Sequence, residues 1–287
     1  MKVTFLLGDE RHQYACEYLL KQGIDAFSFI DHELDDEVRQ RLIDSTVIVF
    51  PLPITRDGVS INNPSGKTRI LISDILGLVS EKSLLVAGKI PVVIKKLFNQ
   101  KKIKYIDYYD LESYQIKNAL ISAEGTIHYA MQQYKGGIYG TDIAILGYGR
   151  IGKILAYFLH LQGASTTVCT RKDSDLAWCN LMGIKTFKVE ISEHRNNLKE
   201  IANKNDIFIN TIPSNVMDEE FIKNIRNDTL IIDIASEPFG IEQNLLDKYD
   251  INYHRELGIP GRFAPKSAGE ALGIEVLNII LNKEELL

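Results

Sequence analysis

At 287 residues the chain has room for one or two domains, and a chain of this size buries roughly three-quarters of its unfolded surface, so its core needs no covalent staples. A composition of 45% hydrophobic and 25% charged residues excludes disordered, collagen-like and fibrous classes. The net charge of −5 has the wrong sign for a phosphate-backbone binder, and nucleic acid is not expected as a partner. In chain order, residues 2–7 read as a strand and an amphipathic helix follows through Tyr18-Leu19-Leu20 to a stop at Gly23. Further strands are predicted at 46–50, 83–87 and 104–107. Strands alternating with helices imply a parallel sheet covered on both faces. Residues 51–67, rich in Pro, Asn, Gly and Ser, form a long loop at a strand's carboxyl end, where ligand crevices lie.

At residue 115 the period changes. Ile116, Leu120, Ile127, Met131 and Tyr134 make an apolar stripe on a predicted helix over 115–134, ended by Gly136-Gly137. A second α/β unit follows, with strands at 142–146, 165–170, 206–210, 229–233 and 251–253 and a helix over 150–161. After a loop at 258–266 a last helix runs from Ser267 to 281, with Ala268, Leu272, Val276 and Ile279 on one face. The expected fold is two doubly wound parallel-sheet domains joined by two long helical crossings. Residues 1–115 form the N-terminal, flavodoxin-like substrate domain, completed by the helix in 267–287. Residues 116–137 are the hinge helix and 138–266 the nucleotide domain.

Within the second unit, Gly147-Tyr148-Gly149-Arg150-Ile151-Gly152 is G-x-G-x-x-G after a strand and opening a helix. Gly147 permits the tight turn, Gly149 lets a pyrophosphate approach the backbone, and Gly152 packs helix on strand, while helix-start N–H groups face the anion. An NAD site usually carries an acid about twenty residues further on, for the ribose 2′-hydroxyl. Here that position reads Thr170-Arg171-Lys172, a hydroxyl and two cations that suit a 2′-phosphate, so NADP is expected over NAD. The alternative leaves Arg171 and Lys172 as surface charges with Asp173 on the ribose, although Asp173 is better placed to cap the helix around 176–182. Asn210-Thr211-Ile212-Pro213 follows the next strand and is expected to cover the nicotinamide ribose, unless it is a turn with a helix cap at Ser214. Asp233-Ile234-Ala235-Ser236 ends a further strand and belongs beside the nicotinamide, or else leaves a solvated Asp233.

Other features carry less. Gly66-Lys67-Thr68 imitates the tail of a phosphate loop, but Ile61 stands where that motif needs glycine. Cys16, Cys169 and Cys179 form no C-x-x-C pair, and His12, His32, His128, His160, His194 and His254 show no ligand spacing, so neither disulfides nor metal are expected. His128, on the hinge helix, reads as a surface or satisfied histidine. The longest early apolar run, at 3–7, is too short for a signal peptide or a membrane span, and a cytosolic chain is expected.

Several segments together resemble the family of the dipicolinate synthase A subunit of spore-forming bacteria. They are Gly8-Asp9-Glu10-Arg11, Ser122-Ala123-Glu124-Gly125-Thr126, the glycine loop, Arg171, 210–214, 232–236 and Gly258-Ile259-Pro260-Gly261-Arg262-Phe263-Ala264-Pro265-Lys266-Ser267-Ala268-Gly269. Leu257 departs from the proline that members often carry there. The resemblance implies the two-domain architecture of the 2-hydroxyacid dehydrogenases. It also implies NADP-dependent oxidation of dihydrodipicolinate, or its hydroxylated lysine-pathway precursor, to dipicolinic acid. Further implications are a homo-oligomer, the mother-cell cytoplasm and a flavoprotein-like B subunit. For a ring dicarboxylate, Arg11 would clamp one carboxylate in a fork, with Asp9 and Thr126 beside it, or else make a surface salt bridge with Asp9 or Glu10. Lys266 and Ser267 open a helix suited to an anion, with Ser267 as its cap. Glu124, expected to be partly buried in the cleft, would accept the proton. Two other readings stay open. A stand-alone 2-hydroxyacid dehydrogenase would need a histidine paired with a carboxylate, and His254 is the late candidate. A nucleotide sensor would bind NADPH without turnover.

Overall fold

The computed structural model describes every residue except 31, 32, 65, 67, 193, 194 and 283–287. Lys67, His32 and His194 of the motifs above therefore lie outside the described residues, as do the last five residues of the expected domain-completing segment. The chain divides into two compact units, Met1–Asn118 with Pro260–Leu287, and Ala119–Ile259.

The first unit runs β1 (Lys2–Leu6), α1 (Glu10–Lys21), β2 (Asp25–Phe29), α2 (Asp36–Asp44), β3 (Val47–Val49), α3 (Ile72–Leu78), β4 (Leu84–Ala87), α4 (Val92–Gln100) and β5 (Lys104–Asp107). The five strands are parallel in the order β2-β1-β3-β4-β5, with Thr4 opposite both Phe27 and Ile48. Both faces are buried, as an all-parallel sheet requires. Leu6, Ile48, Leu85 and Phe98 fill one face, and Val3, Phe5, Val49 and Val86 the other. The strand order reverses between β1 and β3, which places the switch point at the loops after those strands.

The division between units falls within α5 (Glu112–Gln133). The second unit continues with β6 (Asp142–Leu146), α6 (Arg150–Leu161), β7 (Ser165–Thr170), α7 (Asp173–Leu181) and β8 (Lys185–Lys188). A short antiparallel pair, β9 (Ile191–Ser192) and β10 (Arg195–Asn196), leads to β11 (Ile207–Asn210), α8 (Glu219–Asn224), β12 (Leu230–Asp233), α9 (Gln243–Lys248) and β13 (Tyr253–Arg255). The six long strands are parallel in the order β13-β12-β11-β6-β7-β8, two mononucleotide halves that part between β6 and β11. Its last strand thus lies two residues later than the predicted 251–253.

The stripe predicted on α5 matches its buried face only at Ile127 and, at its end, Tyr134. Ile116, Leu120 and Met131 are exposed, and Ala119, Ser122, Ala123, Thr126, Ile127 and Ala130 are buried, with Ala123, Ile127 and Ala130 in the second unit's core. Small side chains let a helix sit close to its neighbours, so the buried face of α5 is defined by size as much as by hydropathy.

After α10 (Ile259–Phe263), α11 (Pro265–Leu281) packs along α1 in the first unit. Ala268, Leu272, Val276 and Ile279 are all buried, as their spacing predicts. Two glycines allow the close approach. A Cβ at Gly269 would lie 2.5 Å from the Arg11 carbonyl oxygen, and one at Gly273 would lie 2.9 Å from the Tyr18 ring. No described helix is long and apolar enough to cross a membrane.

Candidate active site

The glycine loop lies at the switch point of the second unit. Gly147 follows β6 with φ +98°, a conformation that favours glycine, and its Cβ would lie 2.5 Å from Thr211 Oγ1. Thr211 donates from both N and Oγ1 to the Leu146 carbonyl, at 3.0 and 2.8 Å, and so ties the loops after β6 and β11 together. A Cβ at Gly152 would stand 2.3 Å from the Gly147 carbonyl oxygen, so only glycine lets α6 start this close to the turn. Gly149 differs: a Cβ there meets nothing within 4 Å, and as N-cap residue it gives α6 no side-chain cap. Open space therefore faces uncapped helix N–H groups, the setting a pyrophosphate requires. Arg150 is exposed and Ile151 half-buried. Tyr148 is half-buried, its hydroxyl 4.0 Å from Met182 Sδ, and burial with the Cys179 thiol beside it pushes that hydroxyl up to about 12. These residues fit a dinucleotide.

At the end of β7, buried Thr170 donates to Asp175 at 3.1 Å, while Arg171 and Lys172 are exposed. Asp173 does not cap α7. The N-cap residue is Lys172, and Asp173 lies in the first turn, where it accepts from Lys188 at 2.7 Å. Both acids near the ribose position are thus engaged by neighbours.

The segments after β11 and β12 are tied by a buried network. Asn210, fully buried, donates to Asp233 Oδ1 at 2.9 Å and to the Ile212 carbonyl, and accepts from Ile212 N. Asp233 is buried rather than solvated: it accepts from Ala235 N, Gly240 N and the Tyr253 hydroxyl at 3.0, 2.7 and 2.7 Å. The side chains of Asn210 and Asp233 therefore shape the loops, with Thr211 half-buried and Pro213 exposed beside them. Ala235 is buried, placed by its bond to Asp233. Ser214 caps no helix, since Asp218 caps α8. His254 is held between the Tyr129 hydroxyl at 2.8 Å and Asn252 Oδ1 at 2.9 Å, neither of them a carboxylate.

In the second unit Glu124 is exposed, not partly buried. The Thr126 side chain is fully buried and donates to the Ser122 carbonyl one helical turn back, which removes it from any substrate contact.

The first unit answers the remaining expectations. Gly8, at φ +88°, turns the chain from β1 into α1, and Asp9 caps that helix by accepting from Arg11 N. Arg11 Nε and Nη2 donate to the two Asp9 oxygens at 2.8 and 2.7 Å. The fork expected to grip substrate is therefore filled by the chain's own Asp9, and the pair is largely buried rather than a surface bridge. Burial works to raise the Asp9 carboxyl, but Arg11 holds it below its ordinary range, and Asp9 in turn raises Arg11. Lys266 and Ser267 are both exposed within the first turn of α11, whose N-cap residue is Ala264, so Ser267 is not the cap. Sequence reasoning did not single out the neighbours of Arg11: buried His12, Tyr108 and Tyr114. Tyr108, just past β5, and Tyr114, in the first turn of α5, carry no periodic signal, and only the fold brings them to Arg11. Among the described residues no group of three or more His, Cys, Asp or Glu is placed to hold a metal.

A six-stranded doubly wound sheet with this loop at its switch point defines a Rossmann-like α/β chain of the dehydrogenase fold. Salmonella D-lactate dehydrogenase shares that fold at a TM-score of 0.63 and 10% identity, over 97% of this chain and 96% of that one. The family follows from closer matches. Residues 2–109 match the family model for the N-terminal domain of the dipicolinate synthase A subunit. The A subunit of Bacillus subtilis dipicolinate synthase is 30% identical over 284 residues, 95% of this chain and 93% of that protein. The crystal structure of its Bacillus halodurans counterpart superposes with a TM-score of 0.83 at 22% identity, over 98% and 97% of the two chains. That of the B. subtilis protein gives 0.81 at 25%, over 99% and 97%. The chain belongs to the family of the dipicolinate synthase A subunit.

Proposed function

We propose that this chain uses NADP to oxidise a dihydropyridine dicarboxylate, supplied as such or formed by loss of water from its hydroxylated precursor, to dipicolinic acid, together with a flavoprotein-like B subunit. The observation that carries the cofactor choice is the end of β7, where exposed Arg171 and Lys172 replace the usual acid and both nearby acids are already paired. Bound NADP would accept a hydride from one ring carbon. The chain's residues then have two tasks, to orient the ring and to take a proton from another carbon, and the aromatic product supplies the driving force. Glu124 is the carboxylate assigned to that proton, and Arg11 and Lys266 are the cations assigned to the substrate's two carboxylates. Membership of the family supports the substrate class, a homo-oligomeric assembly, a place in the cytoplasm of a sporulating cell and the partner subunit. The stand-alone 2-hydroxyacid dehydrogenase reading loses its support, because His254 has no carboxylate partner in the hydrogen bonds that hold it.

The test titrates NADPH and NADH against wild type and Arg171→Ala. Wild type should prefer NADPH, and the variant should lose about tenfold or more in NADPH affinity with NADH unchanged, the scale of a charge-assisted hydrogen bond. Equal affinities in wild type would remove the cofactor choice.

A further inference from the structure

The first unit holds a small cavity of about 10 Å³, lined by Asp9, Arg11, His12, Leu52, Tyr108 and Tyr114 among others. It lies at the β1/β3 reversal, where doubly wound sheets bind their ligands outside the carboxyl ends of the strands. Its polar lining is rich in donors. Arg11 gives Nε and Nη2 to Asp9, and Nη2 also reaches the Leu52 carbonyl at 3.3 Å, so Nη1 makes no hydrogen bond among the described residues. Tyr108 and Tyr114 are 1% and 2% exposed, meet edge to face at 4.9 Å, and neither hydroxyl makes a hydrogen bond there. His12 is 2% exposed, and neither ring nitrogen completes a hydrogen bond, although the Leu7 and Phe50 backbones lie beside it.

Buried polar groups are nearly always paired, and an unpaired one costs on the order of 1–3 kcal/mol. Unpaired groups gathered around one cavity mark a place that a ligand completes. Burial pushes the Tyr114 hydroxyl up to about 12 against the opposing charge of Arg11, so it remains a donor at neutral pH. Asp9 is turned away from this role, since its oxygens are spent on Arg11 and the Gly261 backbone lies against it.

We propose that this cavity seats one carboxylate of the substrate, held by Arg11 Nη1 and by the hydroxyls of Tyr108 and Tyr114, with Asp9 as the residue that positions Arg11. The ring would lie at the mouth, because the space takes about one water-sized atom, such as a carboxylate oxygen. This rests on the ring dicarboxylate reading above.

The experiment is calorimetry on the full chain with dipicolinate and, separately, with acetate, for wild type, Tyr108→Phe and Tyr114→Phe. Each substitution keeps the ring and removes one oxygen. Wild type should bind dipicolinate, each variant should bind it about tenfold or more weakly, and NADPH titrations of all three should coincide. No binding of either carboxylate to wild type, or equal dipicolinate binding by both variants and wild type, would overturn the proposal. Acetate binding that weakens in both variants, without dipicolinate binding, would keep the carboxylate seat and remove the ring dicarboxylate reading.

Discussion

Two turns in this chain begin alike and end differently. Each follows the first strand of a doubly wound sheet, each starts on a glycine with positive φ (Gly8 at +88°, Gly147 at +98°), and each opens a helix of 12 residues beside the switch point. In the first unit the next residue is Asp9, whose carboxylate caps α1 and forks Arg11. The helix start is thereby occupied by the chain's own anion. In the second unit Gly149 leaves α6 uncapped and the space before it open. One topology thus yields a helix start capped by the chain's own carboxylate and an open phosphate cradle. The difference rests on whether a carboxylate or a hydrogen atom projects at the helix cap.

The comparison breaks most severely at Gly152. Gly152→Ala forces a Cβ onto a backbone oxygen 2.3 Å away, and main chain cannot step aside as a side-chain end can. A loss of about 3 kcal/mol or more is expected, together with loss of NADPH binding, read from urea unfolding and cofactor titration. A variant as stable as wild type would mean the loop relaxes freely.

The first unit's corner should show itself through pH. Burial lowers the His12 imidazole from 6.5 to about 4. A base depressed on folding takes its proton more readily in the unfolded chain, so its stabilising contribution is whole above pH 6.5 and is lost as pH falls toward 4. The full span corresponds to about 3 kcal/mol. Asp9, also lowered, acts in a separate window: its contribution is present above the ordinary carboxylate range and is lost only as pH falls below it. Unfolding midpoints from pH 7 to 4 should therefore decline in wild type and flatten in His12→Phe. Parallel curves would show that His12 does not titrate as its burial requires.

Legibility in the sequence follows the same physics. Central strands buried on both faces, such as β4 and β6, are short apolar runs and are readable. The edge strands β2 and β8 escape such a reading, and β13 is displaced. Asp25-Ala26-Phe27-Ser28-Phe29 and Lys185-Thr186-Phe187-Lys188 carry exposed polar or charged residues, as sheet edges do, so the apolar-run signal fades there. The glycine loop is readable because each glycine answers a local geometric demand. The occupation of Arg11 by Asp9 is visible only as an alternative, since two residues of sequence separation do not say which way a fork turns. Tyr108 and Tyr114 reach Arg11 through the sheet's tertiary order, which no local pattern encodes.

A smaller effect is expected at Asp9. Asp9→Asn keeps a capping oxygen but removes the charge facing Arg11, so much of the cap survives while a largely buried cation loses its partner. A cost of about 2 kcal/mol is expected from urea unfolding at pH 7, below that of a fully buried pair because both side chains keep some exposure. A cost near zero would show that the pair adds nothing to the corner.

The smallest stability change belongs to the other turn and sharpens the contrast most. Gly149 has φ −76°, which alanine adopts without strain, and its Cβ would meet no protein atom within 4 Å. The gain of about 0.4–1 kcal/mol from fewer unfolded conformations is offset by alanine's poorer fit as the N-cap residue, so Gly149→Ala should be nearly neutral. Thermal unfolding without ligand should therefore show a nearly unchanged midpoint. NADPH affinity should nevertheless fall by about tenfold or more, because the added methyl fills the space through which a diphosphate reaches the uncapped N–H groups of α6. Stability and binding thus separate at Gly149 and fall together at Gly152, only three residues away. If Gly149→Ala binds NADPH as tightly as wild type, the open space before α6 is not the phosphate cradle.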